Sequence, residues 1–448
     1  MRKREAEHFD RLRADFIWGV VGNVLYSASQ FGVVIALAKL VHPEQVGEYA
    51  IGMAVSAPIA LFANLQLRVL LTSELRELFS FGQYLTFRLV SLTVAVLLIA
   101  SVAACVLPNW RLRTIAVLVG LGLALEFLGE TYYGLMQKHG WLSRVSISLM
   151  IKGPFSLAAF CAALYVTRNL VWATLALAMG RLVILLAWDT RIDFASASIP
   201  DPARRHVENR LRWDPRAMLA ILLSALPLGI ISMLVSLNAS IPRYFLEAHA
   251  GSSELGIYSV LLSLLTAGNL VVSAFGQSVF RPVAHACASA DFFRLRAYIA
   301  GTVGLSLTLG TIFTLSGSSY GSRAIGFLFR VEYGERSDVL VWLMIAGTIG
   351  FISSGLGYVI TASRRLVPQI PVLAAGVIVV TAASAVLVPG MGLMGAAYAT
   401  MLAASTQLVG LGVILWGIDR ELQAGRARQQ IESVDVFKEM AEGESVKC

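Results

Sequence analysis

Long apolar runs separated by short polar segments dominate the chain. The runs are continuous and do not alternate with polar residues, so they indicate helices and not the strands of a membrane barrel. A helix crosses the hydrocarbon core of a bilayer in about 20 residues, and that length divides the runs into twelve predicted spans. They are residues 16–40, 46–71, 84–107, 114–136, 145–166, 170–188, 217–246, 255–280, 297–316, 339–362, 367–388 and 393–416.

Two polar stretches interrupt this pattern. Residues 320–336, between the ninth and tenth spans, form either a loop or a short interfacial helix. Residues 189–216, after the sixth span, contain several prolines and arginines and predict a solvated cytoplasmic linker. The predicted organisation is therefore an N-terminal segment (1–15), an N-lobe (16–188), the linker (189–216), a C-lobe (217–416) and a cytoplasmic tail (417–448).

A short repeat relates the two halves. The second span of each half follows a similar segment, PEQVGEY at 43–49 and SSELGIY at 252–258. Each half holds an even number of spans, so both run in the same direction through the membrane, as in parallel transporter repeats. We therefore predict an all-α polytopic membrane protein of about twelve transmembrane helices, with two six-helix lobes in a parallel pseudo-twofold repeat around a central cavity.

Composition and charge agree with a membrane protein. Hydrophobic residues make up 57% of the 448 residues and charged residues 14%, against roughly 25% charged residues in soluble domains. Most of the 36 lysines and arginines fall on the side that holds the termini, which predicts cytoplasmic termini in a bacterial inner membrane. The net charge of +8 thus reflects topology, and no nucleic-acid partner is expected.

Polar side chains concentrate in the first two spans of each half. A charge at mid-bilayer costs on the order of 2.5–3.5 kcal/mol on insertion scales, so such residues should face a partner or a wet cavity. The candidate substrate-binding residues are Asn23, Gln30, Asn64, Gln66, Arg68, Arg88, Asn238, Arg243 and Gln277.

Two interpretations of these polar residues remain open: they line a hydrophilic cavity, or they hold neighbouring helices together. The side chain of Arg88 is long enough to snorkel to the interface. Arg68 and Arg243 are the stronger candidates for binding an anionic headgroup, because the planar guanidinium suits phosphate.

Acidic residues in the fourth span are candidates for coupling or for a structural ion pair. A tight hairpin about Gly140 places Glu130 at the depth of Lys152, and we predict that these two residues pair. Glu126, one turn deeper, has no lysine opposite, and a buried unpaired carboxylate favours its protonated form and can carry a proton. Arg181 is the alternative partner of Glu126, in which case both residues are structural.

The sequence contains no nucleophile elbow, phosphate loop or metal-spaced His or Cys cluster. It therefore predicts a transporter and not an enzyme, with no cofactor other than H⁺ or Na⁺ as a coupling ion.

A family resemblance covers about residues 16–416. The residues that carry it are Arg88, Asn238 and the segments 61–68, 71–74, 81–84, 225–229, 241–245, 255–258, 274–277 and 392–397. Together they resemble bacterial polysaccharide (O-antigen-type) flippases of the multidrug/oligosaccharidyl-lipid/polysaccharide exporter superfamily.

This resemblance implies two lobes in a V around a central cavity, and alternating access that carries a polyprenyl-pyrophosphate-linked oligosaccharide to the outer leaflet. In the related lipid II flippases, cavity arginines engage the pyrophosphate, and here Arg68 and Arg243 are the candidates for that role. Those relatives carry fourteen helices, against the twelve predicted here. The implied partners are the membrane lipid-linked glycan and other polysaccharide assembly proteins.

Two alternatives stay open. A cation-coupled multidrug antiporter has the same scaffold, but such exporters often use an acidic residue in the first span, and residues 16–40 contain none. A non-transporting membrane polysaccharide polymerase or scaffold is the second alternative. A polymerase should carry a catalytically equipped external loop, and residues 317–338 lack an obvious acid–base pair.

Overall fold

A computed structural model describes residues 2–73, 78–191, 211–289, 291–334, 336–363 and 365–445. Most of the predicted linker, residues 192–210, lies outside the described residues. Within them the elements are twelve α-helices and one π-helical turn. These are α1 (Arg2–Leu40), α2 (Pro43–Asn64), α3 (Leu67–Ser73), α4 (Phe81–Val106), α5 (Trp110–Lys138), α6 (Leu142–Thr167), α7 (Leu170–Ile184), the π turn (Leu185–Asp189), α8 (Pro215–Ala288), α9 (Phe292–Leu328), α10 (Val331–Gly334), α11 (Ser337–Ala362) and α12 (Gln369–Ser445).

In the described part of the chain, ten helices are long and apolar enough to cross a membrane. Two are too long for one crossing: the candidate spans in α8 and α12 cover 66 and 53 residues, against about 20 for a single span. Each contains one glycine with positive φ, Gly251 (82°) in α8 and Gly392 (53°) in α12. Each therefore supplies two crossing segments, and the prediction of a polytopic all-α membrane protein is confirmed.

Local sequence sets several helix ends. Pro43 occupies the first turn of α2, where a missing N–H leaves no helical hydrogen bond unmade. Ser80 precedes α4 in a capping box, in which its N–H donates to Gln83 Oε1 at 2.8 Å. Gly140, with φ of 77°, makes the tight turn between α5 and α6 that the sequence predicted.

The chain folds into two compact units. Unit 1 comprises Met1–Ser263, Ser322–Glu335 and Ser384–Ala396, and unit 2 comprises Leu264–Gly321, Arg336–Ala383 and Ala397–Cys448. The division into two predicted lobes at the linker reflects the repeat in the sequence. That division into lobes stays a prediction, and so does the cavity between the lobes.

Within unit 1 the two copies of the short repeat contact each other. A Cβ on Gly47 would lie 1.8 Å from the carbonyl oxygen of Ser252, and one on Gly256 would lie 2.0 Å from the carbonyl oxygen of Pro43. In the repeat, Gly47 corresponds to Gly256 and Pro43 to Ser252, so the two contacts are exchanged by a twofold relation. We call these four residues the glycine clasp.

The described residues of the region 320–336, left open by the sequence, are largely helical, and residues 322–334 belong to unit 1. Helix α9 continues to Leu328, and the short α10 follows. Arg330 Nη2 donates to the carbonyl oxygen of Lys39 at 2.8 Å, and the rings of Phe329 and Phe31 meet edge to face at 6.2 Å. Tyr333 is fully buried, so this region is an integral part of the packing around the end of α1.

Unit 2 has its own apolar core, which includes Val283, Leu295 and Val359. Its helices approach closely at small residues: a Cβ on Gly310 would lie 2.2 Å from Thr348 Cγ2. Close approach at glycine is typical of helix packing in membranes.

Candidate functional site

The helix of the second span is broken. Helix α2 ends at Asn64 and α3 follows, and between them Leu65 (φ 49°) and Gln66 (φ 51°) are left-handed. Residues with side chains adopt this conformation only where the surrounding structure holds them there. Gly229 of α8 packs against the break, where a Cβ would lie 2.4 Å from Leu65 Cδ2. Broken helices form substrate and ion sites in many transporters, so the break is the natural place to look for one.

Arg88 of α4 binds the broken end of α2. Its Nη1 donates to the carbonyl oxygen of Asn64 at 2.9 Å, and its Nε donates to Thr131 Oγ1 at 2.9 Å. The last carbonyls of a helix lack intrahelical partners, so this guanidinium caps α2. Because the side chain is 0% exposed, the interpretation that Arg88 snorkels to the interface is wrong, and Arg88 supports the break where the sequence suggested a substrate contact.

Two side chains at the break bond to neighbouring helices. Asn64 Nδ2 donates to Glu130 Oε2 on α5 at 3.3 Å, and Gln66 Nε2 donates to Ser232 Oγ on α8 at 3.3 Å. The break is thereby tied to helices of both sequence halves.

Arg68 lies on α3, just after the break, and is partly exposed. Its Nε and Nη2 donate to Gln137 Oε1 at 3.3 and 3.2 Å, and its guanidinium lies 5.7 Å from the centre of the Tyr133 ring. These neutral neighbours orient the guanidinium without neutralising it. We call Asn64, Gln66, Arg68, Arg88 and Glu130 the break cluster.

Glu126 lies in the wall of a cavity inside unit 1. Its Oε2 is 3.1 Å from Arg181 Nη1, and its Oε1 accepts from the Tyr26 hydroxyl at 2.5 Å. Arg181 Nη2 also donates to Gln30 Oε1 at 3.2 Å. The cavity has a volume of about 230 Å³ and is also lined by Tyr49. Arg181, the alternative partner derived from the sequence, is therefore the observed partner of Glu126.

Lys152 pairs with Asp189 and not with Glu130, so the predicted Glu130–Lys152 pair is wrong. Lys152 Nζ lies 2.7 Å from Asp189 Oδ2 and donates to the Tyr133 hydroxyl at 2.5 Å. Ser148 Oγ donates to the other carboxylate oxygen of Asp189 at 2.5 Å. The physical reason is the π turn, whose wider backbone ends on Asp189 and places its carboxylate among buried partners.

Three predicted lining residues lie apart from the break. Asn23 Nδ2 donates to the carbonyl oxygen of Gly19 at 2.8 Å on an exposed face of α1. Asn238 Nδ2 donates to the carbonyl oxygen of Leu234 at 2.9 Å. Gln277 is exposed in unit 2. The structure brings none of these three into the break cluster, and their predicted role in binding stays a prediction.

Arg243 of α8 is a cation that has no acidic partner among the described residues. Its buried Nε has no hydrogen-bond partner there. The side chains of Tyr244 and Tyr258 are the titratable groups that act on it electrostatically. A partly buried charge without a counter-ion is costly, which makes this guanidinium suited to an anion supplied from outside the protein.

Several important residues escaped the sequence reasoning. Asp189 had been placed in the linker, although it directly follows an apolar run, which was the available signal. Tyr133 lies inside a predicted span and Gln137 directly follows one, but which neighbours they contact depends on helix rotation. Chemically, the break cluster combines the partly exposed guanidinium of Arg68 with the carboxylate of Glu130, which lies beyond ion-pair distance from it. A guanidinium suits an anion, and a carboxylate can take up a proton.

Comparisons with known proteins agree with this geometry. The sequence matches the family described as polysaccharide biosynthesis protein over residues 12–285. The capsular polysaccharide biosynthesis protein CapF of Staphylococcus aureus is 27% identical over 342 residues, which cover 76% of this chain and 83% of CapF.

Solved structures share the fold at low identity. A multidrug resistance MATE family transporter of the MOP superfamily, in an inward-facing conformation, gives a TM-score of 0.69 at 13% identity, covering 91% of this chain and 98% of that one. The lipid II flippase MurJ, in an inward closed conformation, gives 0.66 at 11% identity, covering 91% and 90%. The resemblance identified from the sequence is thereby confirmed. This multi-pass membrane protein has the fold of the MOP-superfamily transporters and belongs to the polysaccharide biosynthesis protein family.

Proposed function

We propose that the protein is a flippase that carries a polyprenyl-pyrophosphate-linked oligosaccharide from the inner to the outer leaflet of a bacterial inner membrane by alternating access. The pyrophosphate binds arginine side chains, the sugars occupy a wet interior, and the polyprenyl tail stays in the bilayer. Both termini are cytoplasmic, and other polysaccharide assembly proteins are the expected partners.

The family and its relatives support this substrate class. CapF is named for capsular polysaccharide biosynthesis, and MurJ, which has the same fold, is named as a lipid II flippase. The observation that carries the proposal is the pair Arg68 and Arg243, two guanidinium groups without an ion-pair partner among the described residues. Guanidinium binds phosphate in a bidentate manner.

Loss of surface polysaccharide in cells is the direct test. In cells that lack the chromosomal copy, we expect the unaltered protein to restore the polysaccharide, and Arg68→Ala and Arg243→Ala to fail at equal membrane abundance. Arg294→Ala is the matched control, because Arg294 is 67% exposed and pairs only at the surface with Asp291. Normal polysaccharide in both test variants would refute the role of these arginines.

A cation-coupled multidrug antiporter is the second candidate, favoured by the fold shared with a MATE transporter. It predicts that cells without the protein become more sensitive to cationic drugs while their surface polysaccharide stays normal. A flippase predicts that such cells lose their surface polysaccharide while their sensitivity to cationic drugs stays unchanged.

A further inference from the structure

Glu130 differs from Glu126 and Asp189, two carboxylates of unit 1 that have ion-pair partners. No Lys or Arg nitrogen of the described residues lies within the 4.0 Å ion-pair distance of its carboxylate. Its hydrogen bond from Asn64 Nδ2, at 3.3 Å, is at the long end of the normal range. Glu126, one turn away on α5, has both Arg181 and Tyr26. Of the two carboxylates on α5, Glu130 is therefore the one without a counter-ion.

The charged groups that face Glu130 are already engaged elsewhere. Arg88 on α4 bonds to the end of α2, and Arg68 on α3 bonds to Gln137. Both guanidinium groups favour the ionised form of Glu130 from beyond ion-pair distance, and the negative charge of Glu126 disfavours it. On the other helices packed against α5, the cations Lys152 and Arg181 pair with Asp189 and Glu126.

The amide oxygen of Asn64 can accept a hydrogen bond from protonated Glu130. Asn64 is 3% exposed, and its Oδ1 has no hydrogen-bond partner among the described residues. A protonated carboxyl group gains an O–H donor, and this amide oxygen on the same side chain that contacts Glu130 can accept from it. Both protonation states of Glu130 therefore find a partner in Asn64, at the break of the second span.

We propose that Glu130 is the proton-binding group of this transporter and that its protonation is linked, through the break cluster, to an anion bound at Arg68. A hydronium ion transfers its proton to the carboxylate: one O–H bond of hydronium breaks, one O–H bond forms on Glu130, and a water molecule is released. The anion part of this inference rests on the proposed function, since it assumes a phosphate group at Arg68.

Electrostatics gives the sign of the linkage. A phosphate at Arg68 offsets the positive charge that favours ionised Glu130, so anion binding promotes protonation, and protonation promotes anion binding by the same factor. A proton fits better than a sodium ion, because the guanidinium groups of Arg68 and Arg88 repel a metal cation at this place.

Carbodiimide labelling tests the proton site without any transport. Dicyclohexylcarbodiimide reacts with protonated carboxyl groups in apolar surroundings, and the modified residue is located by mass spectrometry of the full-length protein in liposomes. We expect labelling of Glu130 that falls as pH rises, its disappearance in Glu130→Gln, and its persistence in Glu126→Gln. Labelling confined to Glu126, labelling of Glu130 that ignores pH, or competition by Na⁺ at constant pH would overturn the proposal.

Inorganic pyrophosphate tests the linkage. We expect it to raise the pH midpoint of Glu130 labelling by about one unit, which is tenfold tighter proton binding. In Arg68→Ala the midpoint should already be raised and should no longer respond to pyrophosphate. An unchanged midpoint in the unaltered protein would overturn the linkage. If labelling behaves as expected and surface polysaccharide is normal without the protein, the proposed function fails while the proton site stands.

Discussion

At the residue scale, the pair Lys152–Asp189 shows what burial demands of charge. The two side chains are 2% and 0% exposed and 2.7 Å apart. We expect Lys152→Met and Asp189→Leu each to cost about 3–5 kcal/mol of unfolding free energy, because each leaves one buried charge without its partner. The double variant should cost less than the sum of the two. Thermal unfolding of the purified protein in detergent measures all three.

The control for this cycle is the exposed pair Arg294–Asp291. Its removal in Arg294→Ala should change stability by less than about 0.5 kcal/mol, since surface pairs contribute little. Additive costs in the Lys152–Asp189 cycle would contradict the buried pairing.

Arg88 gives a second test at this scale. Arg88→Met removes the donors to Thr131 and to the carbonyl oxygen of Asn64, and we expect a loss of about 2–3 kcal/mol from the groups left unpaired. Arg88→Lys should recover only part of it, because one ammonium cannot reproduce the fork of the guanidinium. The measurement is again the thermal unfolding midpoint, and a Lys variant as stable as the unaltered protein would contradict the capping role.

The sequence predicted which residues need partners better than it predicted the partners. Burial cost alone singled out Glu126, Glu130 and Lys152, since charge inside an apolar run is expensive. Pairing depends on helix rotation and on local changes of pitch, and the π turn that places Asp189 beside Lys152 has no clear signature in the sequence. Of the two carboxylates on α5, the one without a cation is consequently Glu130, where the sequence favoured Glu126.

At the element scale, the glycine clasp constrains how α2 and α8 meet. No side chain fits at Gly47 or Gly256, because a Cβ would lie within about 2 Å of a backbone carbonyl of the other copy. We expect Gly47→Ala and Gly256→Ala each to lower unfolding free energy by about 1–3 kcal/mol, the usual cost of overpacking. The two changes should not add, since they strain one contact.

Gly412→Ala is the matched control, because a Cβ there meets nothing within 4 Å. Alanine in a helix interior gains about 1 kcal/mol over glycine, so this variant should be neutral or more stable. If Gly47→Ala behaves like Gly412→Ala in detergent unfolding, the close backbone contact does not exist.

The positions of the helices were predictable from the length of the apolar runs, but the breaks within helices were not. Apolar length fixes where a span must lie, so eight predicted spans fall inside single helices. The pattern assigned separate loops around Gly251 and Gly392, where the structure needs one residue of positive φ in each case. It also missed the break at Leu65, because no glycine or proline marks a conformation that packing against Gly229 imposes.

At the scale of the whole molecule, the membrane environment made the fold class predictable. Only helices and closed barrels satisfy the backbone in lipid, and the continuous apolar runs of this chain do not alternate as barrel strands do. The repeat at 43–49 and 252–258 appears in the structure as the glycine clasp. The grouping into compact units was not predictable, because unit 1 takes in segments from both sequence halves. That grouping depends on packing between distant helices, which hydropathy does not encode.

Topology follows from the distribution of charge around the spans. Lys138 and Arg144 flank the turn at Gly140, and four predicted crossings separate that turn from the N-terminus, so the positive-inside tendency predicts that it faces the cytoplasm. We therefore expect alkaline phosphatase fused at Gly140 to be inactive and phosphatase fused at Arg168, one crossing later, to be active. Green fluorescent protein at the C-terminus should fluoresce. Phosphatase activity at Gly140 would contradict this orientation. It would mean that the glycine clasp, and not the break cluster, lies nearer the cytoplasm, so that a substrate arriving from the cytoplasm would meet the glycine clasp first.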